Sequence, residues 1–185
     1  MSGHNKWSKI KKGKEIKDKQ KSSVFSKLTR IITLAVIEGG GITDPENNIK
    51  LRLAIEKAKN LNFPKDNIER AVEKGAGPNS QQLKEIIYEG FGPGGVALII
   101  LTATDNANRV LGEIRSALEI HGGKLGRQGS AVHFFKKNDW ASYEAYSLLE
   151  ISDENTAKKL LDLIEALENL EDVHKVFTNT TPQSK

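Results

Sequence analysis

The feature that most constrains this chain is a change of hydrophobic period near residues 77–81. Before that point apolar residues recur at helical spacing. After it they alternate, or run in short blocks of strand length. Val24, Phe25, Leu28, Ile31, Ile32 and Ala35 form one continuous helical stripe, and Gly39-Gly40-Gly41 ends it. Asp44-Pro45 opens a second helical segment with Leu51, Ile55 and Ala58 on one face. Pro64 is placed as a first-turn residue of a third helix carrying Ile68, Ala71 and Val72, which Gly75-Ala76-Gly77-Pro78 stops. Three short helices with tight connections predict a helical domain over residues 14–76, joined by a linker at 77–81 to a second domain over 82–179.

In that second domain residues 83–89 and 96–103 read as strands. Asp105-Asn106 reads as a cap before a helix with Val110, Ile114 and Leu118, stopped by Gly122-Gly123. Residues 131–135 are expected as a third strand, 138–146 as an irregular connection and 147–151 as a short strand. Asp153 caps a helix with Leu160, Leu161, Ile164 and Leu167, and 173–178 closes as a strand. The order ββαβ(β)αβ predicts an α+β fold. Its N-terminal three-helix domain precedes an α/β layer domain with a mostly antiparallel sheet and helices on one face.

Charge is distributed as unevenly as hydrophobicity. Residues 1–30 hold ten Lys/Arg against Glu15 and Asp18, a local balance of +8 in a chain of net charge +4. Residues 141–185 hold four basic and nine acidic side chains. Such a basic block attracts phosphate backbones at long range. Trp7 and Ile10 interrupt the lysines, which a purely solvating tail has no use for. Residues 1–13 are therefore expected to be a basic arm contacting a polyanion. The acidic face of the last helix, with Asp162, Glu165 and Glu168 followed by Glu171 and Asp172, reads as solvated and is a candidate dock for a basic protein partner.

Chemistry finds little support. The chain has no cysteine, which excludes disulfides, thiolate catalysis and cysteine-ligated zinc. The longest apolar run, residues 96–101, is far too short for a membrane span. No secretory h-region is present, so a cytoplasmic location is expected. Gly90, Gly92 and Gly95 satisfy G-x-G-x-x-G, but a strand follows them where a dinucleotide site needs a helix. They read as a strand-to-strand turn. The run Gly123-x-x-Gly126-x-x-Gly129 lacks the P-loop lysine, and reads as a connection whose Lys124, Arg127, Gln128 and Ser130 are candidate phosphate contacts. His4, His121, His133 and His174 show no metal-ligand spacing, and Ser8-x-x-Lys11 lacks companion motifs. A non-enzyme without cofactor, metal or small-molecule substrate is expected.

The start Gly3-His4-Asn5-Lys6-Trp7-Ser8-Lys9-Ile10-Lys11 resembles the opening signature of the YebC/PmpR family. The resemblance continues through Pro64-Lys65-Asp66-Asn67-Ile68-Glu69-Arg70-Ala71, Tyr88-Glu89-Gly90-Phe91-Gly92-Pro93-Gly94-Gly95 and Asp105-Asn106-x-Asn108-Arg109. It ends on Leu167-Glu168-Asn169-Leu170-Glu171-Asp172-Val173 followed by Val176-Phe177-Thr178-Asn179. The resemblance implies a regulator of gene expression that binds nucleic acid. Its members act on DNA as transcriptional regulators, or on the ribosome as translational activators, so the implied partner is DNA or ribosomal RNA. It also implies a third domain inserted within the second, for which the step from Phe135 to Ser147 is too short. Lys6, Trp7, Lys9, Lys11, Lys12, Lys14, Lys17, Lys21, Lys124 and Arg127 are the candidate nucleic-acid contacts. Lysine outnumbering arginine in the arm favours backbone contact over base reading. Trp7 either stacks on a base or pins the arm to the second domain.

Overall fold

The computed structural model describes residues 22–78, 80–138 and 142–180. The basic arm lies outside the described residues, as does Trp140. Helix α1, described over residues 22–38, buries Leu28, Ile32, Ala35 and Val36 against α2 (Ile49–Asn60) and α3 (Lys65–Ala76). Phe25 meets Phe63 edge-on at 5.0 Å between ring centroids, closing the base of this unit. Gly40 (φ +71°) and Gly41 (φ +84°) end α1, and the Gly41 amide donates to the Val36 carbonyl.

Two helix starts differ from expectation. Asp44-Pro45 does not open α2: the Asp44 carboxylate accepts from the Glu46 amide and Asn47 Nδ2 within a separate turn. The cap is Asn48, whose Oδ1 accepts from the Leu51 amide while Nδ2 donates to the carbonyls of Ala35 and Ile42. One buried side chain thus satisfies orphan groups on two helices. Pro64 stands at the N-cap rather than in the first turn of α3. Gly75 does not stop α3 either. It lies inside the helix at the crossing with α1, where a Cβ would sit 2.6 Å from that of Val36. Its lack of a side chain serves close approach, not termination.

Strands β1 (Lys84–Phe91) and β2 (Ala97–Thr104) form a hairpin in full register from Lys84↔Thr104 to Phe91↔Ala97. The glycine-rich segment is the turn between them, with Gly94 and Gly95 at φ +74° and +78° and the Gly92 amide donating to the Val96 carbonyl. Helix α4 (Ala107–Ile120) starts at Asn106, whose Oδ1 accepts from the Arg109 amide. A two-residue strand β3 (Lys124–Leu125) then pairs with β1. Strand β6 (Val173–Thr178) pairs with β2, giving the antiparallel order β3-β1-β2-β6. Helix α5 (Glu154–Asn169) starts at Asp153, which accepts from the Thr156 amide.

Every residue of β2 is buried, because both sheet faces are covered. Leu98 and Ile100 meet Val110, Ile114 and Leu118 of α4 and Leu160, Leu163 and Leu167 of α5. Ala97, Ile99 and Leu101 point the other way, onto Phe135 and Tyr143. Those two belong to a separate hairpin of β4 (Phe135–Asn138) and β5 (Ser142–Ala145). Three segments here differ from the expectation. The third strand starts at Phe135, after a 3₁₀ turn at Val132–Phe134, rather than spanning 131–135. Residues 138–146 hold β5 instead of an irregular connection. Residues 147–151 are not a strand, being held chiefly by the Leu149 amide on the Asn179 carbonyl and by Thr180 Oγ1 on the Leu149 carbonyl. Each hairpin strand carries a single deeply buried anchor, too little alternation for a period of two to register.

The helical unit packs on the sheet domain through α1. Leu34 and Ile37 lie on Leu83 and Ala103. Beside them Lys27 donates to the Glu168 carbonyl, and Ser26 Oγ to Glu171 Oε1 at 2.8 Å. Among the described residues no helix is long and apolar enough to cross a membrane.

Candidate nucleic-acid interface

Of the ten candidate contacts, Lys6, Trp7, Lys9, Lys11, Lys12, Lys14, Lys17 and Lys21 lie outside the described residues. Lys124 and Arg127 are described, and both are exposed. Lys124 extends from β3 with Nζ 5.7 Å from the centroid of the Phe91 ring, so one face of the ammonium rests on an aromatic. Arg127 sits on the loop that follows, its carbonyl accepting from the Ser130 amide at 3.0 Å.

That loop is built around an anion the protein supplies itself. Glu89, at the end of β1 and only 7% exposed, turns its carboxylate into the loop. Oε1 accepts from the Gly129 amide at 2.6 Å, and Oε2 from the amides of Ala131 and Val132 at 2.6 and 2.8 Å. The Gly126 amide donates to the Glu89 carbonyl at 2.8 Å. Gly129 adopts φ +86°, and a Cβ on Gly126 would strike Ser130 Oγ at 2.3 Å. Burial acts to raise the Glu89 pKa, but the three amides and nearby His133 outweigh it and hold the carboxyl below its ordinary value. The concave row of amides that would otherwise suit a phosphate is therefore occupied. Ser130 Oγ is buried without a hydrogen-bond partner, so among the expected phosphate contacts only Lys124, Arg127 and Gln128 reach outward.

A second polar constellation escaped the sequence reading. Asp172, expected on a solvated acidic surface, has a side chain with no exposure at all. Its Oδ2 lies 2.8 Å from Arg109 Nη2 of α4 and accepts from Thr104 Oγ1 of β2 at 2.9 Å. Its Oδ1 lies 3.2 Å from Arg30 Nη2 of α1, a Coulombic contact without hydrogen-bond geometry. Arg30 also bonds Glu171 at 3.2 Å, and Arg109 bonds Asp105 at 3.3 Å. The Asp172 backbone carbonyl accepts from the Ala103 amide at 2.9 Å. One buried carboxylate thus ties the helical unit, the sheet and the start of α4 together. The signal was present in the spacing Asp105-Asn106-x-Asn108-Arg109 and in the run Glu171-Asp172-Val173, but neither segment alone reveals that the two meet.

Asp162, Glu165 and Glu168 of α5 are exposed, as the sequence predicts. Pairing Glu171 with Ser26 and Arg30 lowers its carboxyl pKa and withdraws it from that free acidic face.

The model of the TACO1/YebC protein N-terminal domain matches residues 5–78, and that of the TACO1/YebC second and third domain matches residues 83–146. A probable transcriptional regulatory protein of Brachyspira hyodysenteriae is 42% identical over 185 residues, covering 98% of this chain and 72% of its own length. One of Thermosynechococcus vestitus is 36% identical over 243 aligned positions, covering 98% of this chain and 96% of its own. Dozens of positions in that relative therefore have no counterpart here. The crystal structure of a conserved hypothetical protein from Aquifex aeolicus superposes with a TM-score of 0.81 at 32% identity, covering 90% of this chain and 92% of that one. Two family models that together span most of the residues, and a shared architecture, place the chain in the TACO1/YebC family.

Proposed function

We propose that this protein is a regulator of gene expression that binds DNA through its basic N-terminal arm, with Lys124 and Arg127 as accessory contacts. The observation that carries this reading is the +8 balance of residues 1–30 in a chain whose remaining residues sum to −4. The names of the relatives, probable transcriptional regulatory proteins, support it. Lys6, Lys9, Lys11, Lys12, Lys14, Lys17 and Lys21 supply charge to phosphates, and Trp7 supplies a stacking or anchoring surface. The role is regulatory rather than catalytic. A second reading, binding to ribosomal RNA, is favoured by the same lysine-rich composition, since an ammonium reads phosphate and not sequence.

Removing residues 1–12 takes away four lysines. On duplex DNA this is expected to weaken binding strongly and to flatten the log–log salt slope by up to about 3.6, at about 0.9 per lost phosphate contact. Unchanged affinity and slope in a fluorescence-anisotropy salt titration would exclude the arm. Sedimentation with ribosomes at moderate salt, set against recovery on promoter DNA, separates the two targets.

In this reading residues 14–76 and 82–179 are the two structural units, and the β4–β5 hairpin stands where longer relatives insert a third. A structure of such a relative with its extra residues leaving the chain elsewhere would overturn that placement. The acidic face of α5 is a surface for a basic protein partner. Neutralising Asp162, Glu165 and Glu168 together is expected to abolish capture of that partner while nucleic-acid binding persists, and loss of both would reject the surface.

A further inference from the structure

Between α1, α2 and β6 lies a groove of about 350 Å³ that none of the features above explains. Its floor is aliphatic, formed by Ile31, Leu34, Leu53 and Ala54. Its rim is charged, with three lysines against the carboxylates of Glu38 and Glu85. Lys50 and Lys57 reach it from α2 and Lys175 from β6, while Lys27 of α1 approaches the same point. Lys50 is neutralised by Glu38 at 2.6 Å, and Lys27 is held on the Glu168 carbonyl. Lys57 and Lys175 face each other with no carboxylate within ion-pair distance among the described residues. Lys175 rests on the Phe177 ring, 4.6 Å from its centroid.

His174 lies in the lining between these lysines. Its side chain is 14% exposed, and Nε2 is buried without a hydrogen-bond partner. The nearest carboxylate, Glu85 Oε1 of β1, stands 3.8 Å away, too far for a hydrogen bond. Glu85 is itself raised in pKa by burial and by Glu38, against the opposing effects of Lys50 and Lys137. A buried polar atom left unpaired costs stability, as does a set of converging like charges. Both costs at one cavity are expected where a ligand, not the protein, completes the site.

We propose that this groove is a nucleotide site, with phosphate on Lys57 and Lys175, the base on Leu34 and Leu53, and the partly exposed His174 ring beside a polar edge of the base. Two unpaired ammonium groups suit a phosphate better than a single carboxylate. An unpaired imidazole edge within an aliphatic pocket suits a heteroaromatic ring with hydrogen-bonding atoms better than an acyl chain. The naming of the ligand as a nucleotide rests on the nucleic-acid reading above; the groove and its charges do not. The nucleotide is either free or one unit of a single strand, and both present the same chemistry.

His174 reports occupancy. Burial, then repulsion from Lys57, Lys27 and Lys175, pushes its pKa down to about 4. A bound phosphate offsets the repulsion, so the imidazole midpoint is expected to rise by about one unit or more. The experiment follows the His174 ring by NMR in the full chain, alone and with uridine monophosphate or a short oligouridylate. A parallel titration uses the double variant Lys57→Gln/Lys175→Gln, which alters only exposed side chains. A rise with the mononucleotide that the variant loses supports a free-nucleotide site. A rise with the oligonucleotide alone, again lost in the variant, supports a strand-binding site. No rise with either, while the full chain still binds oligouridylate, overturns the groove and leaves the arm untouched. An equal rise in the variant also overturns it. A rise with the mononucleotide when DNA and RNA fail to bind the arm keeps the groove and rejects the arm.

Discussion

Replacing Asp172 by alanine is expected to destabilise the protein by about 3 kcal/mol, the lower end of the range for removing one partner from a buried charge cluster. The carboxylate is fully buried and faces two guanidinium groups and the Thr104 hydroxyl. Truncation leaves the buried Thr104 hydroxyl and two partly exposed guanidinium groups with one acceptor fewer. The cost stays at the lower end because Arg30 keeps Glu171 and Arg109 keeps Asp105. Urea unfolding measures it, and a loss under about 1 kcal/mol would show that the pair breaks even against its desolvation. Arg30→Ala separates the roles. It removes the contact from the helical unit while Arg109 and Thr104 still satisfy Oδ2. It is therefore expected to cost less, and to expose the α1–sheet junction to limited proteolysis before global unfolding.

Replacing Glu89 by alanine has a comparable expected effect, about 3 kcal/mol or more, because three backbone amides lose a charged acceptor at once. Glu89→Gln is expected to cost about half as much, since its amide nitrogen turns a donor toward a donor. The two forms differ in their dependence on pH. The folded carboxyl is held below its unfolded value, so the stability it contributes is present above the unfolded pKa of about 4.5 and is lost as pH falls through the folded value. The gap in unfolding free energy between wild type and Glu89→Gln is therefore expected to be full at neutral pH and to shrink below about pH 4.5. A gap constant with pH would mean that charge is not what the amides recognise. His174 adds a separate slope. Its folded pKa of about 4 lies below the ordinary 6.5, so unfolding takes up a proton as pH falls through that window, and stability drops with it.

Both side chains show how far a linear reading reaches. Glu89 lies in a run quoted for the family resemblance, yet as a residue of a strand end it reads as ordinary surface. Its partners stand 40 to 43 positions away, and their amides are invisible in side-chain chemistry. Asp172 follows the exposed acids of α5 in sequence and, read along the chain, belongs with them. The helix ends at Asn169, the period lapses, and the chain turns that side chain inward. The candidate contacts Lys124 and Arg127 were legible as exposed cations beside glycines. That their loop is already filled by an internal carboxylate was not.

The sequence by itself determined the helical start, the antiparallel α+β class, strands β1, β2 and β6, the caps at Asn106 and Asp153 and the glycine turn between β1 and β2. These depend on spacing along the chain and on backbone preferences local to a few residues. Only the tertiary structure decided what lies between units: the hairpin Phe135–Ala145 over the second sheet face, the Gly75 crossing, the Asp172 cluster and the groove around His174. Each of these is a meeting of residues distant in sequence. Its energy comes from burial and charge proximity, which no local period encodes.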